Sequence, residues 1–306
     1  MKFGISLIMR GTHATADAFV KLAQRAEALA YDAVWASDHI FFPKLKDAAH
    51  PDTPHGGLPP AWTEGYWESL SVLGHVAAHT KRIAVGTSVL ILPMHHPIQA
   101  AKRMAVLDQL SGGRFIFGVG VGWLKEEFEA LNWPFKERGA RTDEGLEICK
   151  KLWTEHKPSH NGRFYQFEEA WFDPKPMQKP HPPIWVAGHT PAALKRVARF
   201  GDCWHPFRSS HALMEEKLPE LRRYLEDRDR KLSDIRIAPK MTVTFQDTPP
   251  QKGQDLTEGR TQDIVDALRR FQDLGATDFV IDIKPETMEH ALSTLEQFAQ
   301  EVRSKL

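Results

Sequence analysis

A continuous strand–helix–strand unit at residues 82–123 constrains the fold more than any other part of the sequence. Its first predicted strand, residues 83–90, is almost wholly apolar. An amphipathic helix follows at 98–110, and a second strand is predicted at 114–121. Uniformly apolar strands joined by a helix are typical of a parallel sheet that is buried on both faces. Because such sheets bind ligands at the carboxyl ends of their strands, the small residues at these ends predict a binding site.

Strands and helices alternate along the rest of the 306 residues. Eight strand candidates can be identified, and they begin near Lys2, Ala33, Ile83, Arg114, Ile184, Cys203, Ile235 and Asp278. This pattern predicts an α/β fold, a (β/α)8 TIM barrel that forms one domain over residues 1–306. A doubly wound open sheet is the alternative. Two stretches, about 43–66 and 155–183, are predicted to be insertions, and the second contains a hairpin-like N-G-R-F-Y-Q-F segment.

Charge and composition restrict the class of protein. The chain has 40 basic and 40 acidic residues, so it offers no electrostatic basis for binding nucleic acid or an anionic membrane. No apolar stretch approaches the roughly 20 residues needed to span a bilayer, and the N-terminus lacks the layout of a signal peptide. Cys149 and Cys203 form no CxxC motif. We therefore expect a cytoplasmic protein with reduced cysteines in its core.

A titratable pair, Asp38-His39, follows the second predicted strand. A histidine beside an aspartate is suited to proton transfer, because its surroundings set its tautomer and its pKa. A helix cap or a buried hydrogen-bonded pair would give the same sequence. The other histidines show no metal-ligand spacing, and we expect no metal site.

Two glycine-containing turns also follow predicted strands. Gly118-Val119-Gly120-Val121-Gly122-Trp123 is close to the Rossmann fingerprint, but Trp123 occupies the place of its last glycine. These glycines either relieve crowding at a strand end or let the backbone approach a planar ring or phosphate. Gly188-His189-Thr190 precedes a helix, whose free N–H groups favour an anion, although an ordinary capped helix has the same pattern.

Several motifs, in this order along most of the chain, together resemble the luciferase-like superfamily of flavin- and deazaflavin-dependent oxidoreductases. They are S-D-H at 37–39, V-G-T-S-V-L at 85–90, H-P at 96–97, L-D-Q-L-S-G-G-R-F at 107–115, G-V-G-V-G-W at 118–123, R-x-x-R-T-D-E at 138–144, P-P-I-W-V-A-G at 182–188 and G-D-C-W at 201–204. The set is most similar to the branch of oxidoreductases that depend on coenzyme F420.

The resemblance implies a TIM barrel with the cofactor ring at the carboxyl ends of the strands. It places a non-proline cis peptide bond at Ser88-Val89, behind the ring, and makes Asp38 a cofactor contact and His39 the proton-transfer group. The remaining cofactor contacts that it implies are Thr87, Ser88, Val89, Gly120, Gly122, Trp123, Lys125, Gly188, His189 and Thr190. Two departures are visible: Leu124-Lys125 replaces the family's usual asparagine, so that Lys125 would instead meet a phosphate, and His189 replaces a glycine of the phosphate turn.

The expected function is hydride transfer between an organic substrate and F420, with His39 exchanging a proton and Asp38 orienting it. An FMN-dependent monooxygenase, which uses O2 and reduced flavin from a partner reductase, is the alternative among enzymes. A catalytically silent flavin-binding homologue is the alternative outside enzymes. We also expect a homodimer with a small-molecule substrate and with no nucleic-acid or membrane partner. The identity of the substrate does not follow from the sequence.

Overall fold

The computed structural model describes residues 1–42, 65–207, 209–250, 257–284 and 287–306. The predicted insertion at about 43–66 therefore lies almost entirely outside the described residues. The described part of the chain contains nine α-helices: α1 Ala16–Ala28, α2 Ser69–His79, α3 Pro97–Leu110, α4 Lys125–Ala130, α5 Arg138–Thr154, α6 Pro191–Phe200, α7 His211–Glu226, α8 Thr261–Asp273 and α9 Met288–Gln297.

Strands alternate with these helices. The strand segments are β1 Lys2–Ser6, β2 Ala33–Ala36, β3 Ala84–Thr87, β4 Leu90–Ile91, β5 Phe115–Gly120, β6 His160–Asn161, β7 Gln166–Phe167, β8 Ile184–Ala187, β9 Cys203–His205, β10 Arg236–Ile237, β11 Lys240–Thr242, β12 Thr244–Phe245, β13 Glu258–Gly259 and β14 Asp278–Asp282. All eight predicted strands are present, although two of them are divided into shorter segments.

The main sheet is parallel and closes into a barrel. Its hydrogen-bonded order is β10-β9-β8-β5-β3-β2-β1-β14-β11. Only Ala238 and Pro239 separate β10 from β11, so these two segments are halves of one barrel strand. Pro239 has no N–H group to donate to a neighbouring strand, which explains the break. The ring therefore has eight members, and the prediction of a (β/α)8 barrel is confirmed.

The first strand of the 82–123 unit is also divided. It forms β3 and then β4, and both segments pair with β5. Between them, the Ser88-Val89 peptide bond is cis, as the resemblance implied. The helix after them begins at Pro97 and ends at Leu110, close to the predicted bounds.

Two indole rings pack against each other inside the barrel. The centroids of the Trp35 and Trp185 rings lie 4.5 Å apart, and both side chains are buried. A Cβ atom at Gly4 or at Gly86 would overlap the Trp35 ring, so these two strand positions require glycine. A larger apolar core lies outside the barrel, between the strands and the helices. The buried residues Phe19, Leu22 and Ala23 of α1 belong to it, as the periodicity of that segment indicates.

The second predicted insertion contains a short hairpin, because β6 pairs antiparallel with β7. The hairpin is attached to the barrel through Glu144 of α5, whose carboxylate accepts the backbone N–H groups of Phe164 and Tyr165. Cys149 and Cys203 are buried and free, as expected. Among the described helices, none has both the length and the apolar character that crossing a membrane requires.

Candidate active site

The carboxyl ends of four barrel strands bring polar groups to one edge of the barrel. Asp38 and His39 follow β2, Ser88 follows β3, the Gly188–Thr190 turn follows β8, and His205 ends β9. Because all of these strands are parallel, their carboxyl ends lie at the same edge, where TIM-barrel enzymes place their active sites.

His39 is held by a buried glutamate from the first turn of α4. Its Nδ1 atom lies 2.7 Å from Oε2 of Glu127, which is completely buried. The other oxygen of Glu127 accepts the backbone N–H of Ile40 at 2.6 Å and that of Phe41 at 3.3 Å. Within the described residues, Nε2 of His39 has no hydrogen-bond partner. One nitrogen of the imidazole is thus held by Glu127, and no described residue binds the other.

Aromatic rings surround the imidazole of His39. The ring centroids of Phe42, Tyr66 and Trp123 lie 4.5, 5.2 and 6.0 Å from that of His39. The hydroxyl of Tyr66 is hydrogen-bonded to that of Ser37. Burial raises the pKa of Tyr66 to about 12, so its phenol stays neutral at physiological pH. The surroundings of His39 are therefore apolar and uncharged on three sides.

Asp38 faces away from His39 and binds a different set of groups. Its Oδ2 atom lies 2.8 Å from Nε2 of His95 and accepts the backbone N–H of Ile91 at 3.0 Å. Its Oδ1 atom accepts the hydroxyl of Ser69 at 3.1 Å. These contacts therefore do not support the expectation that Asp38 orients His39, since the carboxylate of Asp38 binds other groups and Nδ1 of His39 contacts Glu127. Both carboxylate oxygens are used within the protein, so these contacts give no support to a cofactor contact through Asp38.

Asp38 and His95 form a buried charged pair. Burial by itself would raise the pKa of Asp38, but the hydrogen bonds from His95 and Ile91 outweigh it and lower that pKa. Burial would likewise lower the pKa of His95, but the hydrogen bond to Asp38 and its negative charge raise it. Each partner therefore favours the ionised form of the other.

Ser88 is bound from the barrel interior. Nδ1 of His205 lies 2.6 Å from the carbonyl oxygen of Ala238, and because a carbonyl only accepts, Nδ1 carries the hydrogen. Burial lowers the pKa of His205 to about 4, so the ring is neutral and its Nε2 accepts the Ser88 hydroxyl at 2.9 Å. Nζ of Lys240 lies 3.5 Å from the Ser88 carbonyl oxygen and 3.3 Å from Oδ1 of Asp282.

The glycines of β5 and the turn after it make room for the neighbouring segment. A Cβ atom at Gly120 would lie 2.5 Å from Cγ2 of Val89, and one at Gly122 would lie 2.7 Å from Cγ2 of Ile91. The hydroxyl of Thr87 donates to the carbonyl of Gly118 at 2.7 Å. Of the two interpretations of this glycine motif, the packing supports relief of crowding.

The turn after β8 combines a special backbone conformation with a buried polar atom. Gly188 has a φ of 103°, in the region that favours glycine. The hydroxyl of Thr190 accepts the N–H of Ala193 and caps α6, so the ordinary capped helix is present. Nδ1 of His189 is buried, and the described part of the chain provides no hydrogen-bond partner for it.

Lys125 lies apart from these groups. Its side chain is 60% exposed, and its ammonium lies 3.0 Å from Oε1 of Glu129 on the same helix. Positions 125 and 127 differ by about 200° around a helix, so the turn that directs Glu127 inward directs Lys125 outward. The expectation that Lys125 meets a cofactor phosphate is therefore not supported.

Four residues at this edge were not singled out by the sequence analysis: Glu127, His95, His205 and Lys240. Glu127 belongs to an acidic first turn, which is typical of any helix N-terminus and so carries little functional information. His95 and His205 lie at or near strand ends, which was the one available signal. Their partners are 57 and 117 positions away in the sequence.

Comparison with known proteins agrees with this architecture. The model of the family described as luciferase-like monooxygenase matches residues 1–258. An uncharacterised protein of Mycobacterium tuberculosis is 35% identical over 208 residues, which cover 67% of this chain and 71% of that protein.

Two relatives have named cofactors. An F420-dependent glucose-6-phosphate dehydrogenase of Amycolatopsis mediterranei is 34% identical over 187 residues, 60% of this chain and 51% of the relative. An FMNH2-dependent dimethylsulfone monooxygenase of Pseudomonas putida is 36% identical over 141 residues, 45% of this chain and 38% of the relative. The chain thus matches only about half or less of the length of each of these two enzymes.

Among solved structures, a monooxygenase from Streptomyces bottropensis superposes with a TM-score of 0.79. The match covers 100% of this chain and 99% of the monooxygenase, at 24% sequence identity. This similarity supports the fold.

Proposed function

The chain belongs to the luciferase-like monooxygenase family, and from this premise we propose that it is an oxidoreductase that transfers a hydride between an organic substrate and coenzyme F420. Relatives in this family are F420- or FMN-dependent oxidoreductases and monooxygenases. The observation that carries the proposal is the placement of His39 at the barrel edge, with Nδ1 held by Glu127 and Nε2 bound by none of the described residues.

The residues at the barrel edge fit a flat cofactor with an anionic tail. The Ser88-Val89 segment would lie behind the ring, and the Gly188–Thr190 turn would hold the phosphate side. The buried Nδ1 of His189, which lacks a partner among the described residues, is a polar atom that such a ligand would satisfy. When bound, F420 would supply the carbon, C5, that accepts or donates the hydride.

His39 would move the proton that accompanies the hydride. An alcohol that loses a hydride from carbon also loses a proton from oxygen, and Nε2 of His39 would accept that proton. In the reverse direction the same atom would return it. The rings of Phe42, Tyr66 and Trp123 would limit the access of water to the imidazole. Asp38 would hold the barrel edge together through His95, Ile91 and Ser69, without touching the substrate.

The second candidate function is an FMN-dependent monooxygenase that receives reduced flavin from a partner reductase. The similarity to the FMNH2-dependent relative favours it. The match to the F420-dependent relative extends over 60% of this chain, against 45% for the FMNH2-dependent one, which supports F420 as the first candidate.

Titration of the purified protein with F420 and, separately, with FMN tests the proposal. We expect saturable quenching of F420 fluorescence with a Kd on the order of 1 µM, and binding of FMN that is at least about tenfold weaker. His79→Ala, an exposed substitution on α2, serves as the control and should bind F420 as the wild type does. Tighter binding of FMN would favour the monooxygenase, and binding of neither cofactor would contradict both candidates.

A further inference from the structure

We propose that Glu127 is a positioning residue that fixes the tautomer of His39, so that Nε2 is the nitrogen that exchanges the proton. The catalytic part of this inference rests on the proposed function. The tautomer itself is a property of the protein without any cofactor, and it can be measured independently.

The hydrogen bonds of Glu127 define this role. Its Oε1 atom accepts two backbone N–H groups, from Ile40 and Phe41, and its Oε2 atom lies 2.7 Å from Nδ1 of His39. A carboxylate has no hydrogen to donate, so Nδ1 of His39 must be the donor in this contact. In the neutral imidazole, Nε2 is then left without a hydrogen and with a lone pair that can accept a proton.

Burial makes the contact more than a surface ion pair. Glu127 is completely buried and His39 is 9% exposed, so solvent screens their interaction little. When Nε2 accepts a proton, the positive charge that forms on the imidazole lies next to the carboxylate, which stabilises it. In serine proteases a buried aspartate likewise orients the catalytic histidine and stabilises its protonated form.

Glu127 also connects the imidazole to the backbone that follows it. Because the same carboxylate binds His39 and the N–H groups of the next two residues, a shift of the chain at Ile40 or Phe41 would move the acceptor of Nδ1. The orientation of the ring and the course of the backbone after β2 are thus set by one buried side chain.

Glu127→Gln separates this role from a purely structural one. The two backbone N–H groups require an acceptor, so the amide oxygen of glutamine would stay at the Oε1 position and its NH2 group would face Nδ1. Because that group donates, Nδ1 would have to accept, and the hydrogen of His39 would move to Nε2. The variant keeps the shape of the side chain and reverses the tautomer. Glu126→Gln, at an exposed position of the same helix, is the matched control.

Nitrogen-15 NMR of histidine-labelled protein without cofactor is the primary test, with the His39 signals assigned from their loss in His39→Gln. We expect hydrogen on Nδ1 in the wild type and in Glu126→Gln, and on Nε2 in Glu127→Gln. Hydrogen on Nε2 in the wild type would overturn the proposal, whatever the result for Glu127→Gln.

The second measurement compares kcat/KM with the cofactor Kd for the same three proteins. Glu127→Gln should lower kcat/KM by about 10²-fold or more, with the cofactor Kd within about twofold of the wild type. An unchanged kcat/KM in Glu127→Gln would overturn the positioning role. If the wild type shows no turnover with F420 or with FMN, the proposed function is contradicted. The NMR result would still decide the tautomer of His39.

Discussion

Replacement of His39 by alanine is expected to reduce turnover by about 10²- to 10⁴-fold and to leave the Kd of the cofactor within about twofold. Glu127 binds Nδ1 of the imidazole, and none of the described residues binds Nε2. Removal of the ring abolishes proton exchange at that point. The substitution removes none of the groups that we propose to hold the deazaflavin ring or the phosphate of the cofactor. Steady-state kinetics and fluorescence titration of the same preparation measure the two quantities.

The matched control for His39→Ala is His79→Ala, which removes an exposed imidazole from α2 and should leave both quantities unchanged. Turnover of His39→Ala equal to that of the wild type would exclude His39 from the mechanism. A large loss of cofactor affinity would show that the imidazole binds the cofactor and does not act mainly in proton exchange.

Replacement of Asp38 by alanine is expected to lower the free energy of unfolding by about 3–5 kcal/mol. The substitution leaves His95 buried without its partner and removes the acceptor of the Ile91 N–H and the Ser69 hydroxyl. Asp38→Asn should cost less, because it keeps the shape and one acceptor oxygen; it loses the charge and replaces the other oxygen by an NH2 group, which can donate to the Ser69 hydroxyl. Urea denaturation followed by circular dichroism measures the difference.

The contribution of the Asp38–His95 pair should depend on pH. The raised pKa of His95 adds stability that is fully present below its unfolded-state pKa of about 6.5 and is lost as pH rises through the higher folded-state pKa. The lowered pKa of Asp38 adds stability that is present above about 3.9 and is lost as pH falls through the lower folded-state pKa. The difference in the free energy of unfolding between the wild type and Asp38→Asn should therefore be largest at about pH 4–6.5 and smaller at pH 9.

Asp17→Asn provides the control, because Asp17 is an exposed residue in the first turn of α1. This substitution should change the free energy of unfolding by the same small amount at pH 6 and pH 9. If the difference in the free energy of unfolding between the wild type and Asp38→Asn does not change with pH, the Asp38–His95 pair is not ionised as described.

Strand number and fold class could be predicted because they depend on local patterns. Apolar runs separated by helix periodicity identify eight strands, and each of them is present. The division of the seventh strand at Pro239 also had a local signal, since proline cannot donate within a sheet. Closure of the barrel around Trp35 and Trp185 had no such signal, because it depends on Gly4 and Gly86 facing an indole from distant parts of the chain.

The candidate site was harder to predict because its partners are remote in sequence. Asp38 and His39 are adjacent in the chain, and adjacency suggested that they act on each other. In the structure each of them instead has a partner from elsewhere in the chain: His95 for Asp38 and Glu127 for His39. The sequence contained the chemical groups, whereas the pairing required the three-dimensional fold.

A crystal structure of the protein with bound F420 would test the central claim most directly. We predict that one face of the deazaflavin ring contacts the Ser88-Val89 segment and that C5 faces the side of the site that contains Nε2 of His39. The phosphate side should lie at the turn formed by Gly188, His189 and Thr190. A cofactor bound away from the carboxyl ends of the barrel strands, or one whose C5 faces away from His39, would contradict this account.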